Sequence, residues 1–298
     1  MVQNLRPFDS LRNAAQYVRR FRHHPFVVKL GGEILDDPAL RRPVCEQLAL
    51  LWSLSIPLVI VHGGGAGLDQ LCADMGLPRV KVAGRRVTSP EVLDAAMMAF
   101  KGKIQMDLIA DLEAAGMPAV GLSGQDAGLI RGRRRPPVEV DGETVDYGLV
   151  GDVEKVDPAL LQHLLKGGFV PVVAPFSAAA DGQVFNTNAD TVAAEIASAM
   201  KVEKLFFVLK VPGLLADPGD PSSLVPLADL DRLDELARSG AVKDGMRPKL
   251  AAARKALDAG VASVHLVSGV RPDAILAEVF TNEGSGTMLV AQLDKEGS

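Results

Sequence analysis

Short, continuously apolar runs recur along this chain, and each is followed by a stretch whose apolar residues recur at helical spacing. Phe26–Leu30, Pro57–Val61, Ala119–Leu122, Val170–Ala174, Leu205–Leu209 and Ser263–Val267 read as strands. Leu40–Leu54, Gly67–Gly76, the stretch Pro90–Ala115, a helix ending over Leu160–Gly167, Asp190–Met200 and Lys249–Ala259 read as helices. A strand with no polar alternation is buried on both faces, which requires helices above and below it. The pattern therefore predicts an α/β fold: a three-layer αβα sandwich around an open, mainly parallel sheet. Aromatic residues are only 4 % of the chain, so Ala, Val and Leu must build the core. A polar, Gly-rich region, Arg131–Gly148, breaks the alternation and reads as hairpin-like. A fresh strand–helix series starts after Lys201, which sets an expected lobe boundary there.

The N-terminal stretch is polar and basic, with Arg12, Arg19, Arg20 and Arg22. Ser10 reads as an N-cap, and Leu11, Ala14, Ala15, Val18 and Phe21 line one face of a helix that Pro25 closes. That helix reads either as a solvated surface element or as an oligomer contact. Nothing there resembles a signal peptide, and runs such as Ile56–Val61 are too short to cross a bilayer. The expected location is the cytoplasm, without membrane association. A net charge of −5 argues against a nucleic-acid binder. The basic run from Arg131 to Arg135 lacks interleaved aromatics and reads as a solvated hairpin turn. Cys45 and Cys72 have no partner at ligand spacing and read as buried small hydrophobes.

Two glycine-rich turns follow buried strands. The first strand runs into Gly31-Gly32, and the second runs into His62-Gly63-Gly64-Gly65-Ala66-Gly67 ahead of a helix. Bare amides and helix N-termini at such turns attract phosphate, and two of them at strand ends point to one crevice. The dinucleotide pattern G-x-G-x-x-G fails because position 68 is Leu, and no P-loop string occurs. The HGGG string also occurs in esterases, but Ser123 in GLSGQ and Ser285 in EGSGT do not form a nucleophile elbow. Lys29 stands at the end of the first strand, with Leu30 between it and the first glycine turn, and Lys249 opens a helix in DGMRPKL. In FNTNAD, Asn186, Asn188 and Asp190 alternate, so an extended chain would point all three one way. A helix cap needs only one of them.

The strings VVKLGGEIL, IVHGGGAGLDQ, AGRRVTSPE, GLSGQDAGLI, YGLVGDVEKVDP, GFVPVVAPF, FNTNADTVAAEIA, DGMRPKL and EVFTNEGSGTML occur in one order between Pro25 and Val290. In that order they resemble the acetylglutamate kinases of the amino acid kinase family. The basic N-terminal helix resembles that of the hexameric, arginine-inhibited type. UMP kinases and aspartokinases share an opening like VKLGGE but not GRRVT together with FNTNAD. The resemblance implies two lobes: residues 25–200 bind the amino acid, residues 201–298 bind ATP, and residues 1–24 form the extra helix. It implies transfer of the ATP γ-phosphoryl to the γ-carboxylate of N-acetyl-L-glutamate, in arginine biosynthesis. A longer aminoadipate-type acid or a weakly catalytic sensing relative are the alternatives.

The same resemblance implies roles for individual residues. Lys29 and Lys249 would flank the phosphoryl group and Asp190 would hold both ammoniums. The amides of Gly31, Gly32, Gly64 and Gly65 would cradle its oxygens, with Gly64 and Gly65 against the substrate. Arg86 would grip the substrate α-carboxylate and Asn186 would bond the same end. Arg85 beside it is expected to face solvent. Mg²⁺ would arrive with ATP, since no acidic cluster suggests a dedicated metal site. Tyr17, His265, Glu278 and Gly286 fit an effector pocket, and a homo-oligomer, dimer or hexamer, is implied. Three positions depart from the family pattern: Lys210 replaces a usual Asp beside the nucleotide, Gly102-Lys103-Ile104-Gln105-Met106 replaces G-K-V-N-K, and Ala216 replaces a basic residue.

Overall fold

The computed structural model describes residues 9–293, apart from 141, 221, 239–241, 243 and 244. The first glycine of the DGMRPKL string is described, but its Asp244 lies outside the described residues. An eight-stranded sheet runs in the spatial order Leu227–Ala228, Thr287–Leu289, Ser263–Ser268, Lys204–Leu209, Phe26–Leu30, Leu58–His62, Val170–Ala174, Ala119–Ser123. Every neighbouring pair is parallel except Ser263–Ser268 with Thr287–Leu289. The six strands expected from the sequence are the six central and right-hand members of this order. The strand Phe26–Leu30 lies in the interior, between Lys204–Leu209 and Leu58–His62.

The three layers follow from side-chain alternation along these strands. Phe26, Val28, Leu30, Leu58, Ile60, Val172 and Phe206 enter one core, together with side chains of the helices Pro38–Ser53, Pro90–Met97 and Gln105–Ala114. Val27, Val59, Val61, Val173, Leu205 and Phe207 enter the other, together with the helices Ala189–Met200 and Arg247–Asp258. Lys29 is one residue from the strand end rather than at it, on the face of Val27, and is buried.

Four further strands, Ile130–Arg134, Val150–Val156, Phe176–Ala178 and Val184–Thr187, close into a small barrel beside the sheet. The amino-acid pattern suggests only a hairpin-like region there, and that region covers the actual hairpin Val138–Val140 with Glu143–Val145. The basic run is solvated at Arg131, Arg133 and Arg134, as expected, but it is not a turn. Arg131–Arg134 belongs to a barrel strand paired with Val150–Val156, and Arg135 turns inward behind it. Close packing at the barrel uses Gly132 and Gly151, where an added Cβ would crowd Ser177.

The N-terminal helix spans Asp9–Phe21, so Ser10 lies within it rather than capping it. Phe21 is buried and meets Phe26 edge-on at 5.5 Å, so the helix lays its aromatic end on its own chain. Both cysteines are buried and free. Among the described residues, no helix is long and apolar enough to cross a membrane.

A Cβ on Gly124, at the turn after Ala119–Ser123, would overlap the carbonyl oxygen of Phe176 in the barrel. Gly124→Ala is expected to lower unfolding stability by about 1–3 kcal/mol, the cost of overpacking. Gly102→Ala, which meets open space, serves as the comparison in chemical denaturation.

Candidate active site

The glycine turns end two adjacent parallel strands, so both sit at the same edge of the sheet. They touch: a Cβ on Gly32 would stand 3.2 Å from the Gly65 nitrogen. A Cβ on Gly64 would overlap the Ile104 side chain. Gly32 starts the short helix Gly32–Leu35 and Gly65 starts Gly65–Asp74, so two sets of first-turn amides face one place. One expected donor drops out. The Gly31 N–H donates to the Val208 carbonyl at 3.2 Å, which leaves Gly32, Gly64 and Gly65 for an anion.

FNTNAD does not stay extended. Val184–Thr187 is a barrel strand, Asn188 caps the helix Ala189–Met200 by accepting from Thr191 N at 2.9 Å, and Asp190 lies in its first turn. The helix therefore separates the three polar residues into three tasks. Asn186 Nδ2 donates to Thr88 Oγ1 at 3.2 Å and lines a cleft. Asp190 turns toward the sheet, where Lys29 Nζ lies 2.8 Å from Oδ1 and Lys249 Nζ lies 3.4 Å from Oδ2. Burial pushes the Asp190 carboxyl up, but the two ammoniums outweigh it and hold it below its usual value. Lys249 also donates to the Gly245 carbonyl at 3.0 Å. The three residues expected to act together are thus one cluster, drawn from the first strand and two helices of the same layer.

Two clefts meet at this cluster. One, of about 490 Å³, is walled by Val208, Leu209, Leu214 and Leu215 and carries Lys210 and Lys249. The other, of about 300 Å³, carries Lys81, Arg85, Arg86, Arg135 and Asn186. Lys29 and Gly32 line both. Arg86 Nη2 pairs with Asp69, whereas Arg86 Nη1 is buried with no hydrogen-bond partner. A buried guanidinium nitrogen needs an acceptor, and among the described residues none supplies one. Arg85 is exposed, as expected, but on the rim of this cleft. Arg135, which the sequence pattern assigns to a turn, pairs with Asp152 at 2.5 Å and adds a further cation to the cleft. Its position depends on the barrel, which no local pattern announces.

For a metal the donor set is poor. Asp190 is engaged by two lysines, and Glu33 is the one carboxylate among the residues lining the 490 Å³ cleft. A Mg²⁺ ion fits here only as a passenger on phosphate oxygens.

Of the residues expected to form an effector pocket, His265 and Gly286 contact Glu278, away from this cluster. Glu278 Oε1 lies 2.7 Å from His265 Nδ1, and Oε2 accepts from the N–H groups of Ser285 at 2.7 Å and Gly286 at 3.0 Å. Lys204 Nζ stands 2.9 Å from His265 Nε2, a contact the sequence did not suggest. Tyr17 is hydrogen-bonded to Asn282 instead.

Residues 25–268 match the model of the amino acid kinase family. The chain belongs to that family. It is 60 % identical over 292 residues to the acetylglutamate kinase of Myxococcus xanthus, covering 96 % of this chain and 95 % of that one. It is 41 % identical to the acetylglutamate kinase of Symbiobacterium thermophilum, covering 94 % and 96 %. Among solved structures it resembles an N-acetylglutamate synthase from Neisseria gonorrhoeae complexed with coenzyme A and N-acetyl-glutamate, with a TM-score of 0.83 and 27 % identity. That match covers 97 % of this chain, which spans 64 % of the synthase chain. A carbamate kinase from Giardia lamblia bound to AMP-PNP shares the fold, with a TM-score of 0.66 at 15 % identity.

Burial lowers the pKa of both His62 and His265 to about 4. In the unfolded chain an imidazole protonates near about 6.5. Between those values the unfolded state binds more protons, so stability must fall as pH drops from about 6.5 to about 4. Thermal unfolding followed across that window should show the decline, with His265→Gln reducing its slope. A melting temperature flat from pH 7 to pH 4 would contradict the buried, neutral state of both rings.

Proposed function

We propose that this chain transfers the γ-phosphoryl of ATP to the γ-carboxylate of N-acetyl-L-glutamate, an acyl-phosphate-forming step of arginine biosynthesis in the cytoplasm. The observation that carries the reading is the meeting of an apolar-walled cleft and an arginine-rich cleft at Lys29 and Gly32, beside Asp190 and Lys249. Residues 201–298 hold the nucleotide and residues 25–200 hold the acid. Arg86 Nη1 takes the α-carboxylate, with Asn186 at the same end and Arg135 nearby, because a guanidinium matches a carboxylate in shape and charge.

In the transfer, a carboxylate oxygen forms a bond to the γ-phosphorus while the bond to the bridging β–γ oxygen breaks, and ADP leaves. The acceptor is already ionised near neutral pH, so no general base is needed. The difficulty is the approach of two anions. Lys29 and Lys249 offset the charge on the equatorial oxygens and on the leaving β-phosphate. Asp190 aims both ammoniums, and its own pairing keeps it ionised. The amides of Gly32, Gly64 and Gly65 receive the phosphoryl oxygens. Mg²⁺, carried by ATP, would add further charge neutralisation on the phosphates. Retention of this whole cluster weighs against a sensing relative, which has no use for it. Tyr17, His265, Glu278 and Gly286 are carried as the effector pocket, and the exposed face of the basic N-terminal helix as a contact in a homo-oligomer.

Hydroxamate trapping of the acyl phosphate, with ATP, Mg²⁺ and N-acetyl-L-glutamate against N-acetylaminoadipate, tests the reading. Turnover is expected on the glutamate derivative, and none on either acid would contradict it. Lys249→Ala should lower kcat by about 100-fold or more, the scale for losing a group that stabilises transition-state charge. Lys249 is the clean site for this test, because removing Asp190 would leave the buried Lys29 unpaired at a cost of about 3–5 kcal/mol. Lys210→Asp should raise the KM for ATP by about tenfold, the scale for removing one hydrogen bond to a charged group.

A further inference from the structure

Beneath the second glycine turn lies a pair of buried polar side chains that the transfer itself does not use. His62 ends the strand Leu58–His62 and is fully buried. Its Nδ1 lies 3.1 Å from the carbonyl oxygen of Gly63. Gln105, also buried, comes from the far side: its Nε2 lies 2.8 Å from the Leu122 carbonyl, 2.9 Å from the Val172 carbonyl and 3.4 Å from His62 Nε2.

The hydrogen assignment follows from what each neighbour can do. Backbone carbonyls only accept. The two carbonyls facing Gln105 therefore take both hydrogens of its NH₂ group, and the amide nitrogen, which cannot accept, leaves a proton on His62 Nε2 without a partner. On the other edge of the ring, Gly63 O only accepts, so Nδ1 must carry the proton. A neutral imidazole has one proton, and both edges demand the same tautomer. Burial, which lowers the His62 pKa to about 4, keeps the ring in that neutral form at working pH.

The peptide between Gly63 and Gly64 is trans, as are all peptide bonds in the described chain. In a trans peptide the C=O and the following N–H point in opposite directions. Gly63 N–H is itself tied to the Leu30 carbonyl at 3.1 Å. Holding Gly63 O with His62 therefore aims the Gly64 N–H, which makes no backbone hydrogen bond among the described residues. Gly64 N lies 3.4 Å from where a Cβ on Gly32 would be, inside the glycine cradle. An unusual helix brings the support into place. Met98–Ile104 is a π-helix running directly into Gln105–Ala114, and its extra residue per turn lets neighbouring Ile104 and Gln105 both face the sheet. Ile104 packs against Gly64 while Gln105 reaches His62.

We propose that His62 and Gln105 are positioning residues: together they lock the Gly63–Gly64 peptide so that Gly64 N–H points at the transferring phosphoryl group. The proposal rests on the kinase reading for its effect on rate, but the tautomer at its base does not. Neither side chain touches a substrate, so loss of either should misalign a donor rather than weaken ground-state binding.

Two measurements test it. In the free protein, ¹⁵N imidazole shifts at pH 7 should show His62 protonated on Nδ1 and bare on Nε2. A proton on Nε2 would overturn the proposal whatever the enzyme does, and this arm requires no variant to fold. For turnover, His62→Leu should lower kcat by about tenfold or more, with KM for ATP and for the acid changed by less than about twofold. His62→Asn should recover most of the loss, because its Nδ2 stands the same number of bonds from Cα as the ring Nδ1 and can donate to Gly63 O. Adding Gln105→Leu to His62→Leu should cost little more than His62→Leu alone, since the two act as one unit. Equal losses in the Leu and Asn variants, or losses that multiply in the double variant, would reduce the pair to ordinary core packing. A wild-type chain with no turnover on any acyl acid would count against the kinase reading, while the nitrogen shifts would still decide the tautomer.

Discussion

Asp190 and Lys29 are both nearly fully buried, and neither charge is tolerable there without the other. Two ions taken out of water lose several kcal/mol of hydration each, and only close pairing offsets that loss. Such a pair is a weak source of stability compared with well-packed apolar residues. What it provides is position: an ammonium that has one acceptable partner cannot wander. Lys249 joins the same carboxylate from a more accessible side, so a single buried anion sets the direction of two cations. This constraint explains why a first-strand residue, a helix-start residue near the middle of the chain and another near its C-terminal end must come together. Everything else in the site is arranged around the space those cations face.

The sheet makes that arrangement possible. In a parallel sheet the strand ends and the helix N-termini gather along one edge, so bare amides and charged side chains collect there without special design. Two adjacent strands end in glycine turns close enough that a side chain on Gly32 would crowd the backbone of the other turn. The barrel of four short strands completes the arginine-rich cleft by bringing Arg135 and Asn186 to it. Asp69 plays for the guanidinium cluster a role like that of Asp190 for the lysines: it pairs with Arg79 at 2.7 Å, Lys81 at 3.0 Å and Arg86. Arg86 is thereby oriented, and its other terminal nitrogen has no protein partner among the described residues.

What could be read in the amino-acid order follows from how local each signal is. The apolar runs announced the central strands, because burial on both faces leaves no polar residue to hide the pattern. Lys29 and Lys249 were legible because each adjoins glycine or proline punctuation in a recurring string. The barrel was not legible: its strands mix glycine, arginine and half-exposed residues, and their partners are far apart in sequence. Arg135 was hidden for the same reason. FNTNAD carried the right residues with the wrong geometry, since alternation assumes an extended chain and Asn188 instead turns it into a helix. The Gly31 amide looked like its neighbours until its partner, the Val208 carbonyl, was seen across the sheet. His62 and Gln105 are separated by the helices Gly65–Asp74 and Pro90–Met97 and the π-helix Met98–Ile104, and only folding shows that they meet.

In the proposed transfer, one buried carboxylate aims two ammoniums at a single migrating phosphoryl group. A crystal structure with ADP, N-acetyl-L-glutamate and a planar metal-fluoride in place of that group tests it most directly. Lys29 Nζ and Lys249 Nζ should each lie within hydrogen-bond distance of the fluoride group while both still contact Asp190. A structure in which either ammonium turns away from the fluoride, or in which Asp190 releases them, would contradict it.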